Sequence, residues 1–206
     1  MNLSKYSLPL ASLAAVSLLV FAGCSKHQAP PETKSKPPEP PQPTPPGQVV
    51  FNSFDSRNHA DKSTAWAVMN VGPDGYRGQA EWFTVATGGT FSGVDLALTG
   101  KGSVNVTIAE DQSGLPGKTL ESFAHLPGSR GNRVGHLILV SETQPVLKAG
   151  TKYWLCAEPA DDHTDCSWRY NSLNLAHGFA YERSPGSWSF APGGPRDGAF
   201  RIYVQP

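Results

Sequence analysis

Apolar and polar residues alternate along several short stretches of this chain, and this pattern constrains the fold more than any other feature. Between residues 104 and 108 every second residue is valine or isoleucine, and the same period recurs over residues 94–98 and 200–204. Successive side chains of a β-strand point to opposite faces of a sheet, so a period of two predicts strands with one buried face. We therefore predict an all-β domain.

Further strands are predicted where β-branched and aromatic residues cluster between turns that contain glycine or proline. About ten short strands within residues 49–206 favour two packed antiparallel sheets, a β-sandwich of jelly-roll type. No part of this domain requires a helix longer than a turn or two. The further predicted strands are 49–54, 65–71, 80–86, 134–140, 151–158, 165–171, 179–183 and 187–190.

The segment before this domain, residues 24–48, has the composition of a tether. It contains no aromatic residue and is dense in proline among lysine, glutamate and glutamine. Such a stretch cannot bury enough surface to form a core. Proline favours the polyproline II helix, which rises ~3.1 Å per residue, so the segment predicts a semi-rigid stalk. A PxxP ligand for an SH3-like domain is the alternative, but chance spacing within a proline tract accounts for it better.

The first 23 residues have the layout of a bacterial signal peptide. Lys5 precedes an apolar run over residues 8–22, which is short for crossing a bilayer. Residues 21–24, Phe-Ala-Gly-Cys, resemble the lipobox, in which a cysteine after small residues receives diacylglycerol before cleavage on its N-terminal side. We therefore expect removal of residues 1–23 and a Cys24 anchored through two or three acyl chains. A simple secretory signal or an uncleaved anchor helix is the alternative.

The expected partners follow from this anchor and from the charge. Acylated Cys24 would hold the chain to a lipid bilayer, and Ser25 replaces the aspartate that resembles an inner-membrane retention signal. By analogy we expect an outer-membrane lipoprotein that faces the periplasm or the exterior. Lysine plus arginine equal aspartate plus glutamate at 17 each, so no basic excess exists for nucleic acid. An envelope glycan or another envelope protein is the expected further partner.

Several short motifs occur in a fixed order across residues 78–206. They are 81–84 (Glu-Trp-Phe-Thr), 91–94 (Phe-Ser-Gly-Val), 111–117 (Asp-Gln-Ser-Gly-Leu-Pro-Gly), 147–154 (Leu-Lys-Ala-Gly-Thr-Lys-Tyr-Trp), and the late Trp168 and Trp188. In this combination the stretch resembles the bacterial "choice-of-anchor R" type of exported domain. The resemblance implies a β-sandwich that is carried on varied membrane or wall anchors and has no assigned catalytic residues. The anchor of this chain differs in standing at the N-terminus.

Two cysteines remain besides Cys24, namely Cys156 and Cys166. In an oxidising compartment such a pair predicts a disulfide. If the two cysteines join neighbouring antiparallel strands, the register places Trp154 opposite Trp168. The enclosed loop is small, so the bond would stabilise the fold by roughly 2–3 kcal/mol.

The same register predicts one aromatic face with two interpretations. Trp154, Trp168 and Tyr170, with Lys152 nearby, are candidates for a platform on which sugar rings stack. The competing interpretation packs these rings inside the sandwich, as a tryptophan packs in immunoglobulin domains. Burial is the commoner fate of large aromatic side chains and is favoured here.

Acidic residues crowd the loop between the two cysteines. Asp161, Asp162 and Asp165 offer oxygen ligands for calcium, but the EF-hand spacing is absent and a solvated loop is favoured. We find no zinc motif, nucleophile elbow, P-loop or dinucleotide-binding motif. A pair of catalytic carboxylates far apart in the chain stays open, because such residues need no common motif.

Taken together, the sequence predicts a non-catalytic β-sandwich module on a lipid anchor and a stalk, which serves binding or envelope structure and needs no cofactor. A carbohydrate-binding module with an aromatic platform is the first alternative. An envelope hydrolase is the second, and it would require catalytic groups converging in a cleft.

Overall fold

The alternating stretches form antiparallel strands in the computed structural model of the chain, which describes residues 44–72, 75–127, 135–194 and 196–206. The predicted signal peptide, Cys24 and most of the tether lie outside these residues. Within the described part, no helix is long and apolar enough to cross a membrane.

The described residues form fourteen strands. They are β1 (Gln48–Asn52), β2 (Ala60–Asn70), β3 (Tyr76–Thr84), β4 (Gly89–Leu96), β5 (Leu98–Lys101), β6 (Ser103–Gln112), β7 (Leu115–Pro127), β8 (Leu137–Val140), β9 (Val146–Leu147), β10 (Lys152–Pro159), β11 (Asp165–Asn171), β12 (Phe179–Glu182), β13 (Ser189–Ala191) and β14 (Phe200–Gln205).

These strands build two sheets, which we call the small sheet and the large sheet. The small sheet has the order β1-β14-β4-β8, and β9 also pairs with β4. The large sheet has the order β5-β11-β2-β3-β10-β6-β7, and the hairpin β12–β13 joins it through β3. Only the first residues of β3 pair with β2, and β12 takes over as the neighbour of β3 from Gly78 onward. A fork therefore opens between β2 and β12.

The main core lies between the two sheets and confirms the predicted antiparallel β-sandwich. Each fully buried aliphatic or aromatic side chain contributes roughly 1.5–3 kcal/mol relative to an exposed one. The small sheet contributes Phe91, Val94, Leu96, Phe200, Ile202 and Val204 to this core, and the large sheet contributes Val68, Phe83, Val104, Val106, Ile108, Leu155 and Trp168.

The structure differs from the predicted strands in several places. The chain leaves the small sheet at Ala97 and enters the large one at Leu98, so residues 94–98 are two strands and not one. Strand β7 was missed because its sequence lacks a regular alternation. Pro45, which belongs to the predicted tether, is buried close to Gly93: a Cβ added to this glycine would lie 2.7 Å from the Cβ of Pro45.

Candidate functional site

The predicted hairpin between the two cysteine strands is wrong. Strand β10 pairs with β3 and β6, whereas β11 pairs with β2 and β5. Two strands therefore lie between Cys156 and Cys166, which corresponds to three spacings of ~4.8 Å, or about 14 Å. Disulfides require Cα atoms within ~7 Å of each other. Accordingly, both cysteines are buried with free thiols, and the predicted disulfide is not formed.

The two thiols also occupy different surroundings. Cys166 points into the core between the sheets, and Cys156 points to the opposite face of the large sheet. Burial raises the pKa of the Cys166 thiol to about 11 and raises the pKa of Cys156 well above its usual range. Because the thiolate is the reactive form, neither cysteine is a nucleophile near neutral pH.

The burial that the sequence favoured for the three aromatic rings is confirmed, and the alternative, a sugar platform built from these residues, does not form. Trp154 and Trp168 are both 0% exposed, so neither indole can stack against a ligand ring. Tyr170 is buried as well, and its ring meets Trp66 edge-on. Only Lys152 of the four candidates reaches solvent, with 31% of its side chain exposed.

The acidic loop is organised by its own hydrogen bonds. Asp161 Oδ1 accepts hydrogen bonds from the backbone N–H of His163 at 2.9 Å and from the Thr164 hydroxyl at 3.0 Å. Asp162 is largely exposed beside His163, and Asp165 is exposed at the start of β11. Across the described ranges, no group of three or more histidine, cysteine, aspartate or glutamate side chains converges as for a metal ion. The calcium candidates are therefore not brought together.

The outer face of the large sheet, which points away from the small sheet, carries a set of aromatic side chains other than the predicted platform residues. Its floor consists of small or buried side chains, including Ala80, Ala109 and Ala180. Alanines leave room for large rings to lie flat against a sheet, and Trp82 and Trp188 pack against this floor while staying partly exposed. The floor itself is Ala80, Ala109, Trp154, Cys156 and Ala180.

Lys152 lies at the centre of these rings. Its Nζ is 5.0 Å from the centroid of the Trp82 ring, 4.6 Å from that of Trp154 and 6.0 Å from that of Phe190. Phe190 is 44% exposed. Cation–π attraction of this kind contributes ~0.5–1 kcal/mol at exposed sites and helps to keep the lysine over the rings.

Asp111 fixes the position of this lysine. Its Oδ1 lies 3.2 Å from Lys152 Nζ and accepts a hydrogen bond of 2.8 Å from the indole N–H of Trp154. Partial burial by itself raises the pKa of Asp111, but hydrogen bonds from Trp154 and Gly114 and the pairing with Lys152 lower it below its ordinary value. The carboxylate is therefore ionised and holds Lys152 at neutral pH.

His177 borders the same rings and is oriented by a buried carboxylate. Its Nδ1 lies 2.6 Å from Asp197 Oδ2, and its backbone N–H donates to Asp197 Oδ1 at 2.9 Å. The imidazole meets the Trp82 ring edge-on with 5.3 Å between centroids. Because Nδ1 donates to Asp197, Nε2 is left as the ring nitrogen available to a ligand.

We call Trp82, Lys152, His177, Trp188 and Phe190 the outer aromatic surface. An open groove of about 390 Å³ borders it on the side of Asp111 and Lys152. A second groove of about 340 Å³ lies between the β6–β7 turn and Trp188. Ligand sites commonly measure ~300–1,000 Å³, so each groove can hold part of an extended ligand.

A pair of buried carboxyls lies behind the outer aromatic surface, with Glu81 on the opposite face of β3 from Trp82, and the sequence did not indicate this pair. Glu81 is 1% exposed and accepts a hydrogen bond from the Gly198 N–H at 3.0 Å. Burial, and then the negative charge of Asp197, raise the pKa of Glu81 well above its ordinary value. Neither Glu81 nor Asp197 lines the two grooves, so they position the 197–198 segment and His177 instead of facing a ligand.

A second carboxyl pair lies further along the outer face. Glu182 is in register with Gly78 on the neighbouring strand. Because glycine has no side chain, the Glu182 carboxyl lies directly over Gly78. In this position the Glu182 carboxyl shares a hydrogen bond with the carboxyl of Glu158. Glu182 also accepts hydrogen bonds of 2.8 Å from the Tyr76 hydroxyl and from the Gly186 N–H. Burial, and then the hydrogen bond and charge of Glu182, raise the pKa of Glu158 to about 8.

This pair makes the stability of the fold depend on pH. The folded state binds the shared proton more tightly than the unfolded chain, in which a glutamate titrates near 4.5. The stabilisation is therefore complete below about pH 4.5 and is lost as the pH rises through about 8. We expect the melting temperature of the protein to fall between about pH 5 and about pH 9, and Glu158→Gln to make that fall shallower.

Glu110→Gln is the matched control, because Glu110 is exposed on β6. Thermal melts followed by circular dichroism across the pH range would compare the three proteins. The same slope in Glu158→Gln as in the unaltered chain would contradict the assignment.

The comparisons with known proteins add no relative to these observations: no family model, curated protein or solved structure matches the chain.

Proposed function

We propose that this chain is a membrane-anchored, non-catalytic β-sandwich module that binds carbohydrate on the outer aromatic surface. The observation that carries the proposal is the set of three accessible rings, Trp82, Trp188 and Phe190, around one fixed cation, Lys152. Exposed apolar groups gathered on one face usually mark an interaction site, whereas isolated ones need no explanation.

The polar groups of the surface favour a sugar over a purely apolar ligand. Sugar rings present C–H faces that pack on aromatic rings and hydroxyl groups that need donors and acceptors at the edges. Lys152 and Asp111 supply a donor and an acceptor between the two grooves, and His177 Nε2 supplies a third polar atom beside Trp82. A flat assembly contact would not require three oriented polar side chains among the rings.

The rest of the proposal concerns where the surface is displayed. Cys24 would carry the acyl chains, the proline-rich stalk would hold the domain off the outer membrane, and the domain would face an envelope glycan. The resemblance to the "choice-of-anchor R" type of exported domain agrees with such a display and stays a prediction.

The binding surface can be tested with soluble oligosaccharides. N-acetylglucosamine trimer and maltotriose would be titrated into the protein by calorimetry, with intrinsic tryptophan fluorescence as a second signal. We expect at least one of them to bind, and Trp82→Ala to weaken that binding about tenfold, which corresponds to ~1.4 kcal/mol. Phe190→Ala is expected to weaken it by a smaller factor because the ring is at the rim.

Val49→Ala is the matched control, since Val49 is 45% exposed on β1 of the small sheet. Its affinity should equal that of the unaltered chain. An affinity that is unchanged in Trp82→Ala would contradict the assignment of the surface, and a complete lack of binding by neutral oligosaccharides would contradict the assignment to carbohydrate.

A further inference from the structure

A second cleft lies in the fork between β2 and β12, on the opposite face of the large sheet from the outer aromatic surface. Neighbouring residues of a strand point to opposite faces. Ala80 and Ala180 belong to the floor of the outer face, so Gln79, Phe179 and Tyr181 point to the other side. The cleft measures about 190 Å³, which is below the range of drug-sized pockets and suits a single ring.

The floor of this cleft contains a buried acceptor that the protein does not satisfy. Gln79 is 6% exposed, and its Nε2 donates to the Ala67 carbonyl at 3.4 Å. Its Oε1 is buried and has no hydrogen-bond partner. Leaving such an atom unpaired costs ~1–3 kcal/mol, so a ligand that donates an O–H or N–H to it would recover that free energy.

The walls and the mouth of the cleft add two further requirements. Trp66 and Phe179 lie with ring centroids 3.9 Å apart and form an aromatic wall. Arg183 is exposed at the mouth, with its guanidinium 6.0 Å from the Tyr181 ring, and it offers a bidentate partner for a carboxylate.

One acid also lines the cleft, but its oxygens are already engaged. Glu182 accepts hydrogen bonds from the Tyr76 hydroxyl and the Gly186 N–H and shares a proton with Glu158. Arg77 lines the cleft as well. The exposed guanidinium of Arg183 is the group at the mouth that can pair with a carboxylate of the ligand.

We propose that this cleft binds one acidic sugar ring, of the uronic acid class, with a ring hydroxyl donated to Gln79 Oε1 and the carboxylate paired with Arg183. The ring face packs against Trp66 and Phe179. The site is separate from the outer aromatic surface and does not rest on the function proposed for it.

The test uses free glucuronic acid and its neutral counterpart glucose as probes of the full chain. Ligand-observed NMR and calorimetry should show saturable binding of glucuronate and binding of glucose that is about tenfold weaker, because glucose lacks the charge-assisted pair. Arg183→Gln should weaken glucuronate about tenfold, and Gln79→Leu should weaken both sugars. Lys118→Gln, which removes an exposed positive charge elsewhere, should leave the affinity unchanged.

The outcomes separate this site from the outer aromatic surface. Glucuronate affinity that survives Trp82→Ala and falls in Arg183→Gln supports the cleft. Affinity that falls in Trp82→Ala and survives Arg183→Gln would place the acid on the outer face and overturn the proposal. Absence of saturable glucuronate binding would overturn it too, while binding of neutral oligosaccharides to the outer aromatic surface would be unaffected. Since Arg183 is exposed, its variant stays informative even if Gln79→Leu fails to fold.

Discussion

Replacing Trp168 with alanine is expected to lower the free energy of unfolding by about 4 kcal/mol, the largest effect of any single substitution considered for this fold. The indole is fully buried between the sheets, donates its N–H to the Ala199 carbonyl at 3.1 Å and meets the Phe200 ring edge-on. Removal of the side chain leaves a cavity and removes one of the two hydrogen bonds to the Ala199 carbonyl, which still accepts the Ala97 N–H. Urea denaturation followed by circular dichroism would measure the loss.

Two companion variants make this expectation specific. Gly198 lies against the indole, and a Cβ built there would come within 2.6 Å of Trp168 Cε2, so Gly198→Ala should also destabilise the fold, by roughly 1–3 kcal/mol. Trp188→Ala is the matched control because Trp188 is only partly buried and lies on the outer face. A loss in Trp188→Ala as large as that in Trp168→Ala would show that burial between the sheets is not the cause.

Replacing Glu121 with alanine is expected to cost about 3 kcal/mol, because this carboxylate joins the two sheets. Glu121 belongs to β7 of the large sheet, is 4% exposed, and accepts hydrogen bonds from the segment that follows β8 of the small sheet. The donors are the Ser141 hydroxyl, the Glu142 N–H at 2.8 Å and the Thr143 N–H at 3.2 Å. Without the carboxylate the buried Ser141 hydroxyl and two partly buried N–H groups lose this acceptor.

Two control variants accompany this prediction: one keeps the shape of the Glu121 side chain, and the other leaves Glu121 unaltered. Glu121→Gln retains one acceptor oxygen and should cost about half as much in the same urea denaturation. Glu142→Gln changes an exposed neighbouring side chain and should stay within ~0.5 kcal/mol of the unaltered chain. An alanine variant of Glu121 that unfolds at the same urea concentration as Glu142→Gln would contradict the role given to the carboxylate.

The fold class follows from the sequence because the pattern of each strand is local. The bounds of β11, Asp165–Asn171, agree with the predicted 165–171, and the alternation within β10 correctly places Lys152, Trp154 and Cys156 on one face. Burial on one face imposes the period of two wherever a strand forms, so this information is present in short stretches of chain.

The neighbours of each strand are not local information, and here the prediction was wrong. The two cysteine strands follow each other in the chain and have a short connection, which made a hairpin the simplest arrangement. The chain instead inserts β2 and β3 between them. Strand β2 pairs with β11 through residues nearly a hundred positions away in sequence, and nothing in either stretch specifies that choice.

The candidate site was missed for the same reason. Trp82, Lys152 and Phe190 come from three strands and His177 from the loop before β12, and only the order of the strands brings them together. No local sequence pattern points to His177, because its partner Asp197 follows only after the whole β12–β13 hairpin.

The wide separation of the two thiols has a consequence for how the polypeptide matures. With no covalent cross-link to make, the domain requires neither an oxidase nor an isomerase to reach its final state. Its folding equilibrium contains no step in which Cys156 and Cys166 are oxidised, so the same conformation is available under oxidising and under reducing conditions.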